Sequence, residues 1–133
     1  MSSHQPAKLN LVDGKIKRGD TIESWSFAVS GIPSPGDAVA TFSIHLDPLS
    51  TPPLVELSSE DEADPILLSV DDDSRLVGTV PRINAPAVGK LVWELQVRVP
   101  TIEVAGPPGG TWCRTVLEGA ISCIQDGAES EVP

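Results

Sequence analysis

A chain of 133 residues with a formal net charge of −10 has the length of one domain and can bury roughly two-thirds of the surface its unfolded form exposes. The acidic balance excludes a general nucleic-acid binder, which needs clustered Lys and Arg, and disfavours an anionic membrane surface. No apolar run approaches the roughly 20 residues of a bilayer span, and the opening MSSHQPAKLNLVDGK lacks the apolar region of a secretory signal, so a soluble protein made in a cytoplasm is expected.

Three Trp, two Phe and no Tyr require a mainly aliphatic core. Thirteen Pro and eleven Gly are spread between apolar runs, as many turns joining short strands demand. In chain order, residues 1–20 first set Lys8, Lys15, Lys17 and Arg18 against Asp13 and Asp20. This basic arm reads either as a segment reaching for an acidic partner or as a solvated terminus.

TIESWSFAVSG places Trp25, Phe27 and Val29 on one face of a strand and Ser24, Ser26 and Ser30 on the other, the alternation of a half-buried strand. After the turn IPSPGD, AVATFSIHLDP sends Ala40, Phe42, Ile44 and Leu46 inward and Thr41, Ser43 and His45 outward. His45 on that polar side reads as a solvent-facing histidine, with no second His nearby to make a ligand pair. From Asp47 to Asp73 the chain holds nine acids and no Lys or Arg. Within it PLVEL and PILLSV read as short strands and SSEDEAD as a polar loop. The DDD at 71–73 lacks the spaced acids, glycine and terminal Glu of a calcium loop, so a turn with exposed carboxylates is expected and no metal is assigned.

SRLVGTVPRI gives a shorter strand with Leu76, Gly78 and Val80 on one side. VGKLVWELQVRV is the clearest strand of all: Leu91, Trp93, Leu95, Val97 and Val99 are apolar, while Glu94, Gln96 and Arg98 face the other way. A Pro/Gly-rich connection through Pro107, Pro108, Gly109 and Gly110 leads to TWCRTVLEGAISCIQD. That last strand is expected to bulge or to admit a close backbone approach at Gly119. Cys113 and Cys123, ten residues apart on one strand, would stand on the order of 30 Å apart, beyond disulfide reach; only a chain reversal near Glu118 and Gly119 could pair them.

Seven or eight strands and no convincing helix predict an all-β, immunoglobulin-like antiparallel β-sandwich. No nucleophile with its base, no paired carboxylates and no ligand set converge in the sequence, so neither catalysis nor a cofactor is expected. The last strand carries Leu117, Ile121 and Cys123 on one side but also Val116, Ala120 and Ile124 on the other. A strand apolar on both faces is covered twice, in its own domain or by another chain. Trp112, at its start, either anchors such a contact or caps the end of the core.

Three segments in this order, IKRGDTIESWSFAV, VGKLVWELQV and RTVLEGAISCIQD, resemble the small immunoglobulin-like domain of tailed-phage virion proteins, as in the N-terminal domain of phage baseplate upper proteins. Arg18, Gly19, Asp20 and Thr21 match the family's first-strand motif. Gly89, Trp93, Glu94, Leu95 and Gln96 match a later strand, and Thr115 with Gly119 the closing one. SPGDAVA stands where the family has Asp-Leu-Thr-Gly, and no fibre or receptor-binding segment follows. The resemblance therefore implies a capsid decoration or cement, neck or tail accessory subunit: a virion structural protein, synthesised in the host cytoplasm, multi-copy or homo-oligomeric, bound to other virion proteins and not to nucleic acid or membrane. A carbohydrate- or cell-surface-binding module on the same fold is the alternative. The expected organisation is a mobile basic arm over 1–15, the sandwich over 16–126 and a flexible acidic tail over 127–133. The candidate partner contacts are Lys8, Lys15, Lys17, Arg18, Trp112, Val116, Ala120 and Ile124.

Overall fold

The structure, a computed structural model, describes residues 7–8, 15–17, 19–48, 51–105 and 110–124. Arg18, the Pro107–Gly109 turn and the expected tail at 127–133 lie outside the described residues. The strands are β1 (Ala7–Lys8), β2 (Lys15–Lys17), β3 (Thr21–Ile22), β4 (Trp25–Val29), β5 (Val39–Leu46), β6 (Pro53–Ser58), β7 (Leu67–Val70), β8 (Leu76–Val80), β9 (Ile83–Asn84), β10 (Gly89–Glu103) and β11 (Thr111–Ile124). Among the described residues the only helical piece is a 3-10 turn at Pro35–Asp37. The seven strands of four or more residues, β4 to β8 with β10 and β11, build the sandwich, while β1 and β2 line its β11 edge and β3 pairs with β9.

The large sheet runs β1-β11-β10-β5-β6, with β2 also on β11; the small one runs β4-β8-β7; β3 and β9 form a two-stranded ribbon. The seven main strands divide four and three between the two sheets, the strand count of an immunoglobulin-like sandwich, with β5 placed beside β10 rather than on the sheet of β4 and β8. All pairings are antiparallel except those of β1 and β2, which lie parallel to β11 at Ala7↔Leu117, Lys8↔Glu118 and Lys15↔Ser122 through Lys17↔Ile124. Part of the segment read as an arm from its charge thus stands in register along the edge of the large sheet.

The pleat sends alternate side chains to opposite faces, and β10 obeys it over its first eleven residues: Leu91, Trp93, Leu95, Val97 and Val99 are all buried. From the facing sheet come Phe27, Leu76 and Val80. Antibody domains join their sheets with a disulfide packed on a Trp; here aromatic rings occupy that centre. Trp93 stands 5.7 Å from Trp25 and 5.6 Å from Phe42, ring centre to ring centre, and Trp25 stands 6.0 Å from Phe27. Two glycines make room for these rings. Gly78 lies directly across from Phe27 and Gly119 directly across from Trp93, each with an aromatic ring where its side chain would be. Gly119 is therefore the close approach, and the bulge lies elsewhere.

The bulge sits at Val116, which the ladder skips between Leu95↔Leu117 and Gln96↔Thr115. An extra residue in one strand reverses which side its following residues face. Val116 and Leu117 are consequently both buried, at 7% and 8% exposure. Ahead of the bulge, Trp112 and Arg114 take the register positions opposite Val99 and Val97, and Trp112 packs on the end of the core.

Two readings of β5 are corrected. His45, read as solvent-facing, is only 9% exposed, because the chain beyond the strand folds back and lays Thr51 against the ring. Nδ1 lies 2.6 Å from the Thr51 carbonyl and Nε2 3.0 Å from Ser43 Oγ. A carbonyl can only accept, so Nδ1 carries the proton and, in the neutral ring, the Ser43 hydroxyl donates to Nε2. Leu46, read as inward, is exposed at the end of the sandwich, where its side chain reaches toward Gly89.

Candidate interaction surface

A sandwich offers a partner its two outer faces and its open edges, and here the two faces differ in charge. On the small sheet the outward residues form two rows, Ser26–Thr79–Leu67 and Ala28–Val77–Ser69. None of the six is ionisable, in a chain of which 21% is charged. Ser26 and Thr79 share a hydroxyl hydrogen bond of 3.2 Å. Leu67 stands out at 63% exposure.

The outer face of the large sheet is charged, with Lys90 and Arg98 of β10 at either side of an acidic row. Glu56, Ser43, Glu94 and Glu118 form one row across β6, β5, β10 and β11, with Glu94 and Glu118 directly opposite. Like charges in that position repel, and Lys8 of β1 takes the next register position beyond Glu118. Thr115 donates to Glu94 at 3.3 Å, and Arg98 bridges to Glu60 at 3.2 Å. The neighbouring row holds His45, Val92 and Ala120, of which only Ala120 is exposed. Burial pushes the Cys113 thiol up, Arg98 draws it down and Glu94 raises it further.

Of the candidate contacts, the fold brings Lys8, Lys15, Lys17, Ala120 and Ile124 together along β11 and the strands on its edge. Trp112 lies apart, half-buried at the far end, with the Arg114 guanidinium 5.3 Å above its ring. That guanidinium also donates to the Ser30 carbonyl at 3.3 Å. Val116 is removed from the surface by the bulge, since it packs in the core and offers a partner nothing to touch. The apolar surplus read on β11 thus reduces to Ala120 and a half-buried Ile124.

Sequence reading missed the uncharged face. Its signal was present in Ser26, Ala28, Ser69, Val77 and Thr79, but the face exists only once β4, β8 and β7 are known to be neighbours. The two cysteines lie on one continuous strand and form no disulfide. Asp71, in the turn joining β7 to β8, accepts from the Arg75 and Asp73 backbone amides and from the Arg75 guanidinium, at 2.8–3.0 Å. These bonds, that of the Arg75 amide foremost, hold its carboxyl below the usual aspartate range. Among the described residues no group of three or more His, Cys, Asp or Glu side chains is placed to hold a metal ion. No protein-family model and no curated protein sequence matches the chain.

Proposed function

We propose that this chain is a structural subunit of a tailed-phage virion, a capsid decoration, neck or tail accessory protein that docks on other virion subunits through the surfaces of its sandwich. The observation that carries the reading is the uncharged outer face of the small sheet. A protein with net charge −10 that keeps six adjacent outward positions free of charge has a face on which another protein can settle without desolvating an ion. The resemblance of the strand motifs to those of phage immunoglobulin-like domains supports the setting. The acidic row on the large sheet supplies orientation, and apolar contact supplies affinity.

Mass spectrometry of purified particles from the host that carries this gene tests the reading: it expects the chain in fixed stoichiometry with a capsid or tail protein. Particles that lack it at any stage of assembly end the proposal. Glycan binding centred on Trp112 has weaker support, because one face of the indole is already occupied by Arg114.

A further inference from the structure

β7 is the outer strand of the small sheet and, among the described residues, pairs with β8 alone. The direction of its backbone groups follows from the turn beyond it. The Asp71 amide donates to the Arg75 carbonyl at 3.1 Å, which fixes the antiparallel alternation: Leu67 and Ser69 turn their N–H and C=O toward β8, while Leu68 and Val70 turn theirs to the open edge. Ile66, the previous residue of that outward set, already donates to the Ser58 carbonyl at 3.2 Å. Leu68 and Val70 therefore present two donors and two acceptors in line, none used among the described residues.

Natural edges are usually guarded by Pro, Lys, an inward charge or a bulge. β6, the edge of the large sheet, has such guards in Pro53, Glu56 and the register shift beside His45. β7 reads Leu-Leu-Ser-Val and lacks all of these, its shortness and the nearby Pro35–Asp37 turn being its only guards among the described residues; Leu67 is 63% and Val70 43% exposed beside the open groups. Acids stand at both its ends: Glu60, Asp61, Glu62 and Asp64 before it, Asp71, Asp72 and Asp73 after it.

We propose that β7 is a docking edge for an extended segment of another protein, with alternating apolar residues at its centre and Lys or Arg on its flanks. The segment adds as a fourth strand to the small sheet, its backbone bonding Leu68 and Val70 and its basic ends meeting the two acidic clusters. A second copy of this chain is a poor occupant. Two β7 strands joined across a two-fold axis run antiparallel and set Asp71–Asp73 of one against Glu60–Asp64 of the other. The inference goes beyond the virion reading, because it concerns the chemistry of one edge in whatever assembly the chain serves.

The test uses the full chain and two labelled peptides, one with an alternating Val/Thr centre and two Lys at each end, the other with Glu at those four end positions. The basic peptide is expected to bind at least about tenfold tighter, with an advantage that fades as salt screens the charges. Amide shifts should centre on Leu68 and Val70. Val70→Pro removes only an outward N–H and leaves the β8 ladder intact, and Leu67→Lys guards the edge. Each should weaken binding at least about tenfold while unfolding curves show a folded protein. Equal binding of the two peptides, no saturable binding of the basic one, or unchanged binding by Leu67→Lys overturns the proposal. So does self-association of the chain alone, in sedimentation equilibrium, that Leu67→Lys abolishes, because the occupant is then a second copy.

Discussion

Replacing Gly119 by Ala should destabilise this protein, although the same change in an open strand stabilises. A Cβ on Gly119 would fall 2.6 Å from Trp93 Cζ2 and 2.7 Å from Cε2 and Nε1. Carbon atoms in contact sit about 3.5–4.0 Å apart, so the indole or the β11 backbone must retreat by roughly 1 Å. The indole has nowhere to go: Trp93 is 1% exposed and hemmed by Trp25 and Phe42. Overpacking of this kind costs about 1–3 kcal/mol, against about 0.5–1 kcal/mol that Ala gains over Gly in a strand. The difference spans about 0–2.5 kcal/mol and centres on about 1 kcal/mol, which for a domain of this size lowers Tm by roughly 4 °C. Urea unfolding followed by circular dichroism measures it, with Gly36→Ala as control, since nothing lies within 4 Å of a Cβ at Gly36. The cause is isolated by adding Trp93→Phe. A smaller ring relieves the clash, so the double variant should be more stable than the sum of the single effects by at least about 1 kcal/mol. A Gly119→Ala protein as stable as the parent, or a penalty that persists beside Phe at 93, would refute the reasoning.

His45→Ala removes both ring hydrogen bonds and leaves the buried Ser43 hydroxyl without that partner; it should cost about 1–3 kcal/mol in urea unfolding, and a loss below about 0.5 kcal/mol would show the ring to be a bystander. Asp71 has its folded pKa depressed, so its contribution is present above the unfolded aspartate pKa and is lost as pH falls through the lower folded value. The Arg75 amide signal should therefore show a titration step below the ordinary aspartate range, and in Asp71→Asn that step should vanish. Alkylation followed by mass spectrometry should label exposed Cys113 before buried Cys123. Its rate should rise at higher pH than for an ordinary cysteine and shift higher still in Arg98→Gln, since Arg98 lowers that thiol's pKa.

The seven longer strands and most of their faces were legible in the sequence, whereas the short edge strands β1 and β2 were not. Leu91 through Val99 were legible because the two-residue period of the pleat is a local property, written into each strand whatever it pairs with. The exclusion of a disulfide was legible for the same reason, since one extended strand holds Cys113 and Cys123 too far apart. Tertiary structure alone decided what depends on segments distant in the chain. Counting along β11 placed Val116 with Ala120 and Ile124, but the ladder with β10 inserts its bulge at that residue and turns it into the core. His45 followed its strand's parity to the outer face and is buried there because Thr51 folds over it. The uncharged face and the open β7 edge likewise arise from which strands become neighbours. Side-chain periodicity is fixed by adjacent residues, whereas cover and exposure are fixed by whatever the rest of the chain lays on top.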